Sequence, residues 1–140
     1  MMTNEELHKL LYERCEETGW RKLCGIEVAS LEDNKLTLSM KVTPEVSNRH
    51  GIAHGGAISG MLDTCMGLSC IIAGKNVVTM NLNVNFIRGA KLGTTVYTTA
   101  ELSHVGMTTI VTESKCFDAN GILYAKATGT FYVLRNNRER

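Results

Sequence analysis

"NRHGIAHGGAISGMLDTCMG", Asn48 to Gly67, sets a doubled glycine, Gly55-Gly56, just ahead of an apolar run and then puts one carboxylate, Asp63, inside that run. From about His54 to Gly74 there is no proline, small residues stand at both ends, and apolar side chains fall on nearly every face. That pattern predicts a helix buried on most sides. Its small residues, among them Ala57, Ser59, Gly60 and Gly67, let a sheet approach the backbone closely, at some loss of helix propensity at each glycine. Asp63 is the anomaly. An unpaired carboxylate buried among Ile58, Met61, Leu62 and Met66 opposes folding by several kcal/mol unless something offsets it.

The flanks supply the sheet. Downstream, "VVTMNLNVNFIRG", "TTVYTTAELSHVG", "TTIVTESKCFDANG" and "ILYAKATGTFYVLR" are rich in Thr, Val, Ile and Tyr and are separated by glycine-bearing turns, as strands are. Upstream, "CGIEVASLE" and "KLTLSMKV" alternate apolar and polar residues around Asp33-Asn34, an antiparallel hairpin that ends before Pro44. Thr3 and Glu6 form a capping box, and Leu7, Leu10, Leu11 and Cys15 recur at helical spacing up to Gly19. The expected fold is α+β: an antiparallel sheet of five or six strands wrapped around one long central helix, with a short N-terminal helix over 1–20. A helix of ~20 residues, ~30 Å long, matches strands of about nine residues. The 140 residues make a single domain, 1–140, with "RNNRER" at 135–140 as a flexible tail.

Fifteen Lys and Arg nearly balance 14 Asp and Glu, so no global field draws in nucleic acid or an anionic membrane. The aromatic residues are too few for a base-stacking platform. Five cysteines (15, 24, 65, 70 and 116), odd in number and without a Cys-x-x-Cys, argue against a disulfide framework or a structural zinc site and for a reduced, cytoplasmic setting. The charged start "MMTNEELHKL" does not read as a secretory signal, and no membrane span is expected.

A glycine pair at a helix start leaves N–H groups free to donate to an oxygen gaining negative charge, although it also serves simply as a turn into the helix. Asp63 lies eight residues past Gly55, ~12 Å along a straight helix, too far for its side chain to reach a carbonyl held at its own helix start. Two copies packed antiparallel along these helices bring each Asp63 beside the other's glycine turn. Alternatively, Asp63 hydrogen-bonds within a polar spot of the fold or is exposed. In "TMNLNVNF" the two-residue period points Met80, Leu82, Val84 and Phe86 one way and Thr79, Asn81, Asn83 and Asn85 the other. The second row reads either as a solvated edge or as a dimer seam in which Thr79 holds a water.

Taken together, Asn48-x-x-Gly51-x-x-His54-Gly55-Gly56 followed by Leu62-Asp63, with "MNLNVNFIRGAKLG" beyond, resembles the hotdog-fold acyl-CoA thioesterases of the phenylacetate-pathway type. The resemblance covers most of the chain after about Gly25. It implies that Asp63 is the catalytic carboxylate, acting as base on water or as nucleophile and coming from the partner subunit. Gly55 then provides the N–H that polarises the thioester carbonyl, Gly56 beside it counts among the coenzyme A-binding positions, His54 and Asn48 shape the turn and contact the thioester region, and Thr79 orients the water. Arg88 and Lys91, with His104 before the turn at Gly106 as a third, are the candidates for the coenzyme A phosphates. Many relatives carry a basic residue just after that glycine, where this chain has Met107.

The resemblance thus implies hydrolysis of acyl-CoA by a homodimer, leaving open a tetramer, with no metal and no cofactor, since coenzyme A belongs to the substrate. His50 and His54 are four apart but straddle Gly51 ahead of the helix, a poor metal pair. Cys65, two residues past Asp63, reads as inert packing more readily than as a nucleophile. Two alternatives stand beside hydrolysis: an acyl-thioester hydratase or dehydratase, and a non-catalytic acyl-CoA sensor. The acyl group itself is not legible.

Overall fold

The computed structural model describes residues 3–17 and 19–135. The side chain of Cys15 and the tail beyond Arg135 lie outside the described residues. Helix α1 spans Asn4–Glu17 and α2 Gly19–Cys24; strands β1 (Glu27–Glu32) and β2 (Lys35–Lys41) follow, then the central helix α3 (Gly55–Ile72) and strands β3 (Val77–Phe86), β4 (Thr95–Val105), β5 (Thr109–Asp118) and β6 (Leu123–Val133). The six strands form one antiparallel sheet in the order β1-β2-β4-β5-β6-β3.

Local chemistry sets several boundaries. Thr3 N–H donates to Glu6 Oε2 at 2.7 Å and Glu6 N–H to Thr3 Oγ1 at 3.2 Å, the reciprocal box that starts α1. Asp33 and Asn34 both take left-handed φ, 49° and 61°, the conformation a tight primed hairpin turn requires and short polar side chains tolerate. Gly74, with φ 85°, ends α3 as its Cβ-less stop. One boundary differs from the sequence reading. Gly19 does not close the N-terminal helical region but begins a second short helix, so Trp20 to Cys24 are helical rather than a lead-in to the hairpin.

The sheet closes over α3. Ala57, Ile58, Met61, Leu62, Cys65, Met66, Leu68 and Cys70 are buried against inward residues of the strands, among them Leu38, Met40, Val96, Ile110, Cys116 and Phe131. Gly129 on β6 admits the Met66 side chain; a Cβ there would lie 3.0 Å from Met66 Cε and 2.9 Å from Phe131 Cε2. The helix is long and apolar enough to cross a bilayer by length and composition, but its apolar residues are engaged by the sheet. One stripe of α3 is less covered: Gly56 is exposed, and Ser59, Gly60, Asp63, Thr64 and Gly67 are half-buried.

The alternation expected along β3 fails at one place. Thr79 opposes Phe131 and Asn81 opposes Thr130, so Met80 is an extra residue, a bulge. Directly opposed residues of antiparallel strands share a sheet face. Val77 and Thr79 therefore share the inner face with Leu82, Val84 and Phe86, whose partners are Gly129, Ala127 and Ala125, while Asn81, Asn83 and Asn85 lie outside. Thr79 does not belong to the asparagine row; it faces the helix. β3 is also an edge, with Val78, Met80 and Phe86 at least half exposed.

Candidate active site

The glycine turn is held by backbone hydrogen bonds on three sides. Asn48 N–H donates to Ile52 O at 2.8 Å, Ala53 N–H to Ala90 O at 2.8 Å and His54 N–H to Val46 O at 2.7 Å. Gly51 takes φ 72° to let this loop reverse. His54 is the N-cap of α3, and its Nδ1 accepts from Gly56 N–H at 2.8 Å. A ring nitrogen that accepts must be the unprotonated one, so the other, Nε2, carries the proton of the neutral ring. Gly56 thus differs from expectation. Its N–H serves the cap and is not free for a ligand, whereas the Gly55 N–H has no hydrogen-bond partner among the described residues. At the positive end of an 18-residue helix, one unspent donor remains.

Asn48 commits its Oδ1 to His50 N–H at 2.9 Å, which leaves its amide NH₂ to donate. Asn48 and Gly55 line a cleft of about 300 Å³ together with Ile58, Phe86, Arg88 and Tyr124. The Phe86 ring lies over Gly55, where a Cβ would come 3.3 Å from Phe86 Cζ. Lys91 reaches the same end of the molecule, since its backbone bridges to Ile52 in the turn. The structure therefore brings Asn48, His54, Gly55, Arg88 and Lys91 together.

It also adds neighbours the sequence did not reveal. Tyr124 OH donates to Asp118 Oδ2 at 3.1 Å, and Asp118 Oδ1 accepts from the N–H groups of Asn120 and Ile122. Burial tugs the Asp118 carboxyl upward, but those N–H groups, the Tyr124 hydroxyl and the Arg88 charge outweigh it and hold the acid below its usual range. Arg88 accordingly faces a fixed carboxylate as well as the cleft. Nothing in the strand "ILYAKATGTFYVLR" marks Tyr124 for this position; only the pairing of β6 with β3 and β5 puts it there.

Asp63 forms a second group. Thr79 Oγ1 donates to Asp63 Oδ1 at 2.7 Å, a contact that exists because the Met80 bulge turns Thr79 inward. Asp63 is half-buried rather than sealed in, so in the single chain the hydrogen bond and partial hydration already offset its desolvation. Its second oxygen has no protein partner among the described residues. Along α3 it remains ~12 Å from the Gly55 turn.

His104 is not brought to Arg88 and Lys91. It opposes Val111, which opposes Thr130 on β6, whereas Arg88 N–H donates to Tyr124 O. Tyr124 and Thr130 are six residues apart along one strand, ~20 Å, so the three basic residues cannot meet one small group within a single chain. Met107, beyond Gly106, is 71 % exposed at that distant end. His50 Nε2 accepts from Arg49 Nε at 3.4 Å, His54 is spent on the cap, and no three His, Cys, Asp or Glu side chains cluster as ligands among the described residues. Burial pushes the Cys65 thiol up to about 12, and it donates to Thr98 O at 3.6 Å, the setting of an inert packing residue. A larger hollow of about 600 Å³ opens on the outer sheet face among Lys35, Glu101, Glu113, Lys115 and Lys126, on the side of the sheet away from α3.

Comparison with known proteins bears on this geometry. The profile of the Thioesterase superfamily matches residues 50–125, which includes the glycine turn, Asp63 and Thr79. Human acyl-coenzyme A thioesterase 13 is 32% identical over 116 residues, 81% of this chain and 83% of that protein. The Escherichia coli acyl-coenzyme A thioesterase PaaI is 29% identical over 67% of each chain, and the structure of the E. coli PaaI protein superposes with a TM-score of 0.84 over 91% of this chain and 93% of its own. A hypothetical thioesterase protein of Streptococcus pneumoniae, solved with coenzyme A, is 30% identical with a TM-score of 0.72 over 77% of this chain and 87% of that one.

Proposed function

Since the chain belongs to the thioesterase superfamily, whose fold is a hotdog sheet around one helix, we propose that it hydrolyses acyl-CoA thioesters as a homodimer in which Asp63 of one protomer works opposite the Gly55 N–H of the other. The observation that carries this reading is a division of labour along α3. An unspent N–H sits at the helix start, and a carboxylate with one oxygen fixed and one free sits ~12 Å further on. Neither suffices alone. The open β3 edge offers a row of unpaired backbone groups, and pairing two such edges antiparallel about a two-fold axis sets the two α3 helices head to tail. Each Asp63 then lies beside Gly55 of the partner subunit. In support, the S. pneumoniae protein has been solved as an aspartate-to-alanine and as a threonine-to-alanine mutant, at positions separated by the same 16 residues as Asp63 and Thr79.

In this arrangement the thioester oxygen accepts from Gly55 N–H, and the helix dipole favours the charge that develops there as the carbonyl carbon becomes tetrahedral. Thr79 holds Asp63 Oδ1, so Oδ2 is aimed. As base, Asp63 takes a proton from water while the water oxygen bonds the carbonyl carbon; collapse breaks the C–S bond, and the departing thiolate of CoA takes up a proton. As nucleophile, Asp63 bonds the carbonyl carbon itself, expels the thiolate and leaves an anhydride that water opens. Both routes use the same two groups, and neither uses Cys65. Arg88 and Lys91 stand at the Gly55 end to meet phosphates, so the CoA arm runs that way and the acyl group runs over the protomer that supplies Asp63.

The test is thiol release from a panel of acyl-CoAs. Turnover that vanishes in Asp63→Ala and persists in Cys65→Ala is expected. Tight acyl-CoA binding without thiol release, or full activity in a monomer, would overturn the proposal.

A further inference from the structure

The thioesterase reading sends the acyl group across the face of α3 around Asp63, and one large side chain already occupies that face. Gly60 precedes Asp63 by three residues on the half-buried stripe of the helix. Positions i and i+3 are neighbours, ~5–6 Å apart at Cβ, and helical side chains lean toward the N-terminus, so the Asp63 carboxylate leans over the turn that contains Gly60. Trp20 of α2 rests on that turn. A Cβ at position 60 would lie 2.5 Å from Trp20 Cζ2, 3.1 Å from Cε2 and 3.2 Å from Nε1, so the indole fits only because residue 60 has no side chain. Even so, Trp20 remains 50% exposed, with half of a large apolar ring left uncovered over the turn that precedes Asp63. That open face is apolar surface which an acyl chain running over α3 can cover.

We propose that Trp20 is a specificity-determining residue, the wall at which the acyl pocket ends beside Asp63, so that compact acyl groups are accepted against its open face and long straight chains are turned away. The inference rests on the thioesterase reading and adds to it the class of acyl group. CoA without an acyl group would not reach Trp20, because the phosphates are met near Arg88 and Lys91 of the protomer that supplies Gly55, whereas Trp20 stands on the protomer that supplies Asp63.

Two measurements test this. Trp20 is the only tryptophan in the chain, so intrinsic fluorescence reports on it alone. Titrating the Asp63→Ala protein with acetyl-CoA, hexanoyl-CoA and free CoA should shift the emission with the acyl-CoAs and not with CoA. Separately, kcat/KM is measured over straight-chain acyl-CoAs from two to sixteen carbons. In Trp20→Ala the ratio of long-chain to short-chain kcat/KM should rise about tenfold or more, the scale on which a hydrophobic pocket discriminates by methylenes. Gly60→Ala should move the ratio the same way, because its methyl displaces the ring, and it keeps the test alive if Trp20→Ala fails to fold, since alanine is the better helix former. Trp20→Phe should stay near the parent. Turnover with an unchanged chain-length profile in both alanine variants overturns this inference and leaves the hydrolase reading standing. No turnover and no fluorescence response with any acyl-CoA overturns both.

Discussion

Replacing Thr79 by valine removes one hydroxyl and almost nothing else. Valine matches threonine in shape and in its liking for a strand, so β3 and its bulge should stay as they are. What is lost is the 2.7 Å hydrogen bond to Asp63 Oδ1. A hydrogen bond to a charged group contributes about 1.5–3 kcal/mol, and because both partners are partly hydrated here the lower end applies. If that interaction serves to aim the carboxylate, about 1.5 kcal/mol appears in the barrier, and 1.36 kcal/mol is tenfold in rate, so kcat should fall about tenfold. In the proposed site Thr79 acts through Asp63, its hydroxyl proton spent on the carboxylate, so KM should change by less than about twofold. The assay is steady-state thiol release with Thr79→Val and Thr79→Ser side by side, and urea unfolding as a control. Serine keeps the donor and should restore most of the rate. A Thr79→Val enzyme as fast as the parent, or a serine variant as slow as the valine one, would refute the reasoning that fixing one carboxylate oxygen matters.

Three further outcomes follow from the same geometry. His54→Ala removes the side-chain cap of α3 and should cost about 1 kcal/mol in urea unfolding, with His54→Asn recovering most of it because asparagine is also a good N-cap. Gly55→Ala sets a methyl 3.3 Å from Phe86 Cζ, inside the cleft at the donor; kcat/KM should drop about tenfold or more while the unfolding midpoint moves little. Burial pushes the thiols of Cys65, Cys70 and Cys116 each up to about 12, above the ordinary thiol range reached on unfolding. The folded state therefore keeps protons that the unfolded state gives up. The stability this confers is complete below the unfolded value and is lost as pH climbs from about 9 toward 12, so the unfolding free energy should decline over that window, and a flat profile would contradict it.

What was legible in the sequence was what local chemistry decides. The capping box at Thr3 and Glu6, the hairpin turn at Asp33-Asn34 and the glycine stop after α3 each depend on residues within a few positions of one another. The long apolar run read as the core helix because no other element buries residues such as Met61, Leu62 and Met66 on so many faces. The misses share a different origin. The two-residue period along β3 cannot reveal a bulge that is set by pairing with β6, so it puts Thr79 on the wrong face. Glycine breaks a helix and also begins one, which hid α2. His104 follows Arg88 and Lys91 closely in sequence, but the order of strands carries it ~20 Å away. The use of Gly56 N–H by His54 depends on a rotamer, and Tyr124 depends on which strand lies beside the cleft; neither leaves a trace in residue spacing.

The Met80 bulge has a bearing on how such a chain can drift. Its side chain is 59% exposed in the single chain and has no partner on β6, so pairing with that strand does not dictate which residue stands at position 80. Were the extra residue instead taken up into regular pairing, with Met80 opposite Phe131, Thr79 would move to the outer face and Asp63 would lose its companion. In this segment heredity is free to change the letter so long as the new residue stays out of register.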